Sequence, residues 1–356
     1  MTGPHPATAA VRLAVRAALA ECDPGDLVLV ACSGGADSLA LAAAVAFEAP
    51  KLAVRAGAFV VDHGLAADSA AVARQAGAQC DALGLAPIGW AMVIVEAGSD
   101  GLESAARDAR YRALEVAATR YRARFVLLGH TRDDQAEQVL LGLTRGSGAR
   151  SLAGMARARG RYRRPLLAVS REQTRASCTA EGLTWWDDPM NADPAFTRVR
   201  ARRALADLER DLGPGVTAAL ARSADQLRDD ADHLDRLAAE ALTTLLPPVT
   251  SPVDVDTPGD PGVFTSTGRS GGRSAGRVEV AVEELAALPR AVRTRVWRSL
   301  AIAAGAPPGQ VSTRHTEACD ALLTSWHGQG PVSLPGPLLA TRAGGRVSIG
   351  PPPPVE

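Results

Sequence analysis

Between residues 27 and 170 the chain alternates short apolar runs with longer stretches whose apolar positions recur every three or four residues. Short unbroken apolar runs read as strands buried on both faces, and the 3.6-residue period reads as helices that lay one face against them. The pattern predicts strands at 27–31, 58–62, 88–95 and 125–129, and helices at 39–48, 68–83, 102–120 and 133–144. Strands separated by amphipathic helices give an α/β fold with a doubly wound, mostly parallel sheet. On the helix at 133–144 the expected core stripe is Ala136, Val139, Leu140 and Leu143.

Beyond this unit the pattern changes. Residues 207–246 read as a helical connector ending at Pro247-Pro248, and 247–278 is rich in Pro, Gly, Ser and Thr, the composition of a disordered insertion. Order is expected to return with helices at 283–304 and 312–325, then short strands with a turn at Gly344-Gly345. The expected organisation is a main unit at 1–206, the connector at 207–246, the insertion at 247–278 and a smaller helical or α+β domain at 279–356.

Composition narrows the class. No apolar run reaches the roughly 20 residues of a membrane helix. Near the N-terminus Arg12 and Arg16 interrupt the apolar positions, which fits an amphipathic helix rather than a signal-peptide core. The five cysteines are dispersed and contain no CxxC pair, against a disulfide framework or zinc ribbon. These features together predict a cytoplasmic protein without membrane contact.

Net charge is zero, yet it is unevenly placed. From 145 to 203 there are thirteen arginines and five acids, whereas 207–240 is acidic. Lys51 is the only lysine, so the positive charge is nearly all guanidinium. A basic segment of this kind suits a polyanionic partner, and a solvated basic face is the plainer reading.

The junction Ser33-Gly34-Gly35-Ala36-Asp37-Ser38 carries the clearest chemistry. A strand that ends in this stretch and opens a helix presents bare backbone N–H groups and two hydroxyls at a positive helix terminus, which is an anion site. A strand-to-helix turn capped by Ser38 or Asp37 would explain a glycine pair alone. The two serines, the aspartate and the preceding strand favour the anion loop. It lacks the lysine of GxxxxGK[ST] and the spacing of GxGxxG. The predicted strand ends bring Ser33, His63, His130 and Asp133 to one sheet edge, where such sheets bind ligands.

The stretch SGGADS resembles the loop of the PP-loop ATP pyrophosphatases. Further segments narrow the resemblance to the tRNA(Ile)-lysidine synthase family: Phe59–Leu65, Glu103–Tyr111, Gly129–Gln138, Arg145–Gly148 with Leu152–Met155, Arg164–Leu167 and Asp188–Arg198. The chain departs from the family pattern at Thr131, often a second His, and at Gln138, often Thr.

This resemblance implies ATP and Mg2+ as cofactors, tRNA(Ile) with a CAU anticodon and free L-lysine as partners, and adenylation of the wobble cytidine followed by displacement of AMP by lysine. It implies nucleotide binding by Ser33, Gly34, Gly35, Ala36, Asp37, Ser38 and His63, with Asp37 also a magnesium ligand. Asp37, Asp134, Glu137 and Arg110 become the expected catalytic residues, with Asp133 nearby. Asp134 and Glu137 stand three apart on one helix and so share a face. Asp133 and Asp134 also suit helix capping, and His63 and His130 equally suit structural hydrogen bonding. Arg198, Arg200, Arg202 and Arg203 are expected to contact tRNA phosphates. Trp185 and Trp186 are expected to pack rather than to stack on a base, and Tyr111 to be core. Two other classes remain beside the ligase: a PP-loop sulfurtransferase acting on tRNA, and a non-catalytic RNA-binding relative. A homodimer is kept open as the assembly.

Overall fold

The computed structural model describes residues 3–62, 64, 68–94, 102–145, 148–246 and 276–352. It divides into two compact units, Met1–Arg228 and Asp229–Glu356.

The first unit runs α1 (Pro6–Leu19), β1 (Leu27–Cys32), α2 (Ala36–Glu48), β2 (Arg55–Asp62), α3 (Ser69–Ala82), β3 (Ile88–Met92), α4 (Leu102–Arg120), β4 (Phe125–Leu128), α5 (Arg132–Thr144), α6 (Ala149–Leu152), β5 (Ala158–Arg159), β6 (Tyr162–Arg163), α7 (Arg171–Ala180) and α8 (Thr197–Leu212), then α9 (Val216–Leu245), within which the division falls. The strand order is β3-β2-β1-β4-β6-β5. The β1–β2, β2–β3, β1–β4 and β4–β6 pairs are parallel, and β5–β6 is an antiparallel edge hairpin.

The pleat sends alternate residues to opposite faces. Val28, Val30 and Cys32 of β1 pack with Val11 and Val15 of α1, Leu39 and Leu41 of α2, and Cys178 of α7. Leu27 and Leu29 join Phe59, Val126 and Leu128 against Leu114, Ala117 and Ala118 of α4. Helices therefore cover both faces, which is why the strands read as continuous apolar runs. The chain winds outward from β1 to β3 and then returns to place β4 on the other side of β1. That reversal opens a crevice beyond the carboxyl ends of β1 and β4, where such sheets bind ligands.

Some expected elements shift. In α5 Ala136 and Val139 are buried, but Leu143 is 50% exposed. Gly142 is buried in its place, because α6 lies so close that a Cβ there would sit 3.2 Å from the Leu152 side chain. The expected 207–246 helix is instead the end of α8 and all of α9, parted by Gly213-Pro214-Gly215 with both glycines at positive φ. The hairpin β5–β6 and helix α7 were not expected. Two-residue strands show no period, and the buried face of α7 is the polar set Thr174, Ser177 and Cys178.

The second unit contains β7 (Val278–Ala281), α10 (Val282–Ala287), α11 (Arg290–Ala303), α12 (Thr313–Thr324), β8 (Val332–Leu334), β9 (Leu338–Ala343) and β10 (Arg346–Gly350). The expected helix at 283–304 is interrupted at Leu288-Pro289. The sheet is antiparallel in the order β7-β10-β9-β8, and Gly344-Gly345, both at positive φ, turn β9 into β10. Its core gathers Val280, Leu338, Ala340 and Ile349 against Val296, Trp297, Leu300 and Leu322. Among the described residues no helix is long and apolar enough to cross a membrane. Of the expected insertion, residues 247–275 lie outside the described residues.

Candidate active site

Ser33-Gly34-Gly35 is the whole connection between β1 and α2. Gly34 has φ +81, a left-handed conformation that costs glycine nothing, and a Cβ on it would lie 3.2 Å from the Val72 side chain. Ser38, buried in the first turn of α2, folds back on the loop. Its hydroxyl accepts from the Ser33 N–H at 3.1 Å, lies 3.3 Å from Ser33 Oγ and donates to the Gly35 carbonyl at 2.9 Å. The loop is thus shaped in advance around a positive helix end. Gly129, just after β4, approaches so closely that a Cβ there would sit 3.1 Å from the Asp37 carbonyl group and the Ser38 nitrogen.

Asp37 joins this loop to a cluster of acids. Thr174 of α7 donates its hydroxyl to Asp37 Oδ1. Arg171, the first residue of α7, reaches Asp37 Oδ2 at 3.7 Å, Asp134 Oδ1 at 3.0 Å and Glu137 Oε1 at 3.4 Å. Its backbone N–H donates to Asp133 Oδ2 at 2.8 Å, so Asp133 holds the start of α7. Arg202 of α8 donates to Glu137 Oε1 at 2.8 Å. Burial pushes the Asp37 carboxyl up to about 6, with Asp134 and Asp133 adding repulsion, while Thr174 and Arg171 oppose them. Burial would raise Asp134 too, but Arg171 and two hydrogen bonds from Thr131, at 2.8 and 3.0 Å, outweigh it and hold that carboxyl below its ordinary range. Thr131, where the family often has His, is thus the N-cap partner of Asp134.

Basic and aromatic groups lie near this cluster. Burial drives His130 down to about 3, aided by Arg110, Arg164 and Arg107, so the imidazole is neutral at physiological pH. Burial also lowers Arg110. At Tyr111 burial favours the phenol, but Arg164, which donates to its hydroxyl at 3.2 Å, and Arg107 lower its pKa. The His130 Nδ1, Arg110 Nε and Arg164 Nε atoms are buried and have no hydrogen-bond partner among the described residues. Of these residues Arg110 and His130 line the cleft, where a polar ligand would give their unpartnered nitrogens a partner. The loop, Asp37, Asp134, His130 and Arg110 together line one cleft of 480 Å³, with Trp186, Asp187 and Arg202 also in its wall.

Of the expected residues, Ser33, Gly35, Ala36, Asp37, Ser38, Asp134 and Arg110 line the cleft, and Glu137 is tied to it through Arg171 and Arg202. Gly34 shapes the loop from behind. His63 lies outside the described residues. Of the four α8 arginines, Arg202 enters the cluster, whereas Arg200 donates to the Pro194 and Ala195 carbonyls and Arg203 to the Ala192 carbonyl. Arg198 lies near enough to Arg107 and Arg110 to disfavour their charge. Sequence reasoning missed Arg171 and Thr174. The signal available was the capping box Ser170-x-x-Gln173, which opens a helix directly after the Arg164–Leu167 motif.

Among the described residues no group of three or more His, Cys, Asp or Glu side chains is arranged to hold a metal. Magnesium in phosphate-transfer sites takes one or two carboxylates and completes its shell with phosphates and water. Asp37, a carboxylate at the mouth of a phosphate loop, fits that role.

The PP-loop domain family matches residues 10–209, and the TilS substrate binding domain family matches 281–348. The chain is 49% identical to tRNA(Ile)-lysidine synthase of Streptomyces coelicolor over 98% of its length and 99% of the relative's. It is 48% identical to tRNA(Ile)-lysidine synthase of Thermobifida fusca, again over 98% of this chain and 99% of the relative. A solved U34-tRNA thiolase of Methanococcus maripaludis shares the fold, with a TM-score of 0.52 and 18% identity over 62% of this chain and 79% of that one. With a phosphate loop and acid cluster meeting in one cleft and near-complete coverage by both relatives, the chain belongs to the tRNA(Ile)-lysidine synthase family, within the PP-loop ATP pyrophosphatases.

Proposed function

We propose that the chain ligates free L-lysine to carbon 2 of the wobble cytidine in the CAU anticodon of tRNA(Ile), forming lysidine, releasing AMP and pyrophosphate, and changing the codon read from AUG to AUA. The observation that carries this reading is the meeting, in one cleft, of a phosphate loop with Asp37 and Asp134, to which Arg171 joins the buried Glu137.

Bound ATP supplies the adenylyl group that activates the C2 carbonyl oxygen of the base. The loop N–H groups and the Ser33 and Ser38 hydroxyls hold the phosphates that leave, at a helix terminus that favours negative charge. Asp37 would hold Mg2+, which would screen the charge of those phosphates. Asp134, kept ionised by Arg171 and Thr131, attracts the lysine ammonium together with Glu137; the carboxylates take the proton it must lose, and the free amine then adds to carbon 2 as AMP leaves. Arg110 and neutral His130 carry the orphaned donors and face the charge that develops on the phosphate and the C2 oxygen. Arg198, Arg200, Arg202 and Arg203 provide positive charge for tRNA phosphates. The cytoplasm, where tRNA, ATP and free lysine coexist, is the compartment this chemistry needs.

A sulfur-transferring reading requires cysteines that carry sulfur or hold a cluster. Cys32, Cys80, Cys178 and Cys319 are buried, and no metal-holding group that includes a cysteine occurs among the described residues. Pyrophosphate release provides the test, measured with tRNA(Ile) transcript, ATP and each of the twenty amino acids in turn. Release that depends on the transcript, with turnover completed by lysine alone, supports the ligase. Completion by another amine or by a sulfur donor refutes it.

A further inference from the structure

We propose that Arg171 is a resident cation which holds the acid cluster together in the free enzyme and gives up its place to the ammonium of the incoming amino acid. The inference rests on the lysine-ligating reading of the cleft and names a positioning residue within it.

Three separate carboxylates converge on one guanidinium: Asp134 Oδ1 at 3.0 Å, Glu137 Oε1 at 3.4 Å and Asp37 Oδ2 at 3.7 Å. Without a cation at this point, three acids that are mostly buried would repel one another, against the hydrogen bonds of Thr131 and Thr174 and the charge of Arg202 on Glu137. Arg171 therefore solves a problem the free enzyme has and the substrate-bound enzyme does not. An ammonium carries the same single charge, so the exchange leaves the net charge of the cluster unchanged. Its three N–H donors also match three converging acceptors, whereas a planar guanidinium meets them at uneven distances.

The anchoring of Arg171 permits the exchange. Its main chain is fixed, because its N–H donates to Asp133 Oδ2 at 2.8 Å and it is the first residue of α7. Its side chain is 21% exposed, so the long stem can swing outward while the helix stays in place. Among the described residues, Arg171 is the side chain whose charge pairs with both Asp37 and Glu137, the acids most distant in sequence. Displacement by substrate would thus be felt at the phosphate loop and at α5 together.

A place already occupied weakens apparent affinity by the fraction of time it is filled. Isothermal titration of L-lysine into the full chain, without ATP or tRNA, should read this directly for wild type, R171M and R171K. R171M is expected to bind lysine roughly tenfold more tightly than wild type, with a lower KM for lysine, while R171K retains a competing cation and stays near wild type. Equal or weaker binding by R171M would make Arg171 a permanent part of the pocket and overturn the proposal. Should R171M not fold, nitrogen-15 NMR of arginine side chains in the wild-type chain decides. The Arg171 Nε signal, identified by its absence from R171K, is expected to move and lose protection from solvent exchange at saturating lysine. A signal unchanged by lysine that demonstrably binds contradicts the exchange. Ligation of labelled lysine to tRNA(Ile) by the same wild-type preparation separates the two failures. If ligation proceeds while Arg171 stays in place, only this inference falls, and if no ligation occurs, the functional reading falls with it.

Discussion

Asp37 and Asp134 share one arginine yet are driven in opposite directions, Asp37 up to about 6 and Asp134 below the ordinary carboxylate range. The difference lies in the partners: Asp134 has Arg171 at 3.0 Å and two donors from Thr131, while Asp37 has the Thr174 hydroxyl and a longer contact to Arg171. Because folding raises the pKa of Asp37, it favours the protonated form. Its contribution to stability is complete below the unfolded value near 3.8 and is lost as pH rises through about 6. Asp37→Asn should therefore gain melting temperature relative to wild type between pH 4 and 7 and level off above. A difference that does not vary with pH would contradict this assignment. Thr174→Val removes the donor and should push Asp37 higher still, moving the acid limb of the pH–rate profile upward. Gly129→Ala would force the Asp37 and Ser38 backbone aside, since the atoms 3.1 Å away are main chain. A shift of a few tenths of an ångström in this loop should lower the rate by less than the roughly hundredfold that a misplacement of about 1 Å costs, and circular dichroism should report an intact fold. The acids were legible in the sequence because they sit in local motifs. Thr174 was not, because 137 residues separate it from Asp37 and only the packing of α7 brings them together.

At the level of elements, the long periodic helices and the four longer parallel strands were readable, because each carries enough apolar residues to stand out along the chain. What was hidden is short or polar. Gln135 is an instance: it lies in the motif that supplies the acids, but its side chain is buried and exchanges hydrogen bonds with the Met155 backbone, at 2.7 and 3.2 Å. It ties the turn after α6 to α5 and takes no part in the cleft. Gly154 permits this, since a Cβ there would lie 2.6 Å from the Gln135 amide. In the second unit Asp320 of α12 accepts two hydrogen bonds from Arg293, at 2.6 and 3.0 Å, and one from Trp297 at 3.1 Å. Removing one member of such a buried pair leaves the other charge uncompensated, at a cost of about 3–5 kcal/mol. Asp320→Ala should lower the melting temperature of that unit and alter the near-ultraviolet signal of Trp297. Unchanged stability would show that the pair is not buried in solution.

At the scale of the whole molecule, the zero net charge conceals an arginine-rich stretch from 145 to 203. The structure divides the work of those arginines. Arg171 and Arg202 bind acids, Arg164, Arg200 and Arg203 tie down main-chain carbonyls, and Arg175, paired with Asp187, lines the cleft. Counting charge along the chain could not make that division, because it depends on which helix face each residue occupies. Binding of tRNA(Ile) should weaken steeply with salt, and Arg200→Ala should lower the salt slope by about 1 if its guanidinium also meets a phosphate. Arg202→Ala should instead act on lysine, through Glu137. If one cleft couples ATP cleavage to lysine transfer onto a single tRNA, radiolabelled lysine should enter isoleucine but not methionine tRNA transcripts that both carry CAU anticodons. This is measured with and without ATP, using the native chain and Asp37→Ala. Labelling of the isoleucine transcript alone, dependent on ATP and abolished by the substitution, is expected. Labelling that needs no ATP, or ATP turnover on tRNA without any lysine incorporation, would contradict that coupling.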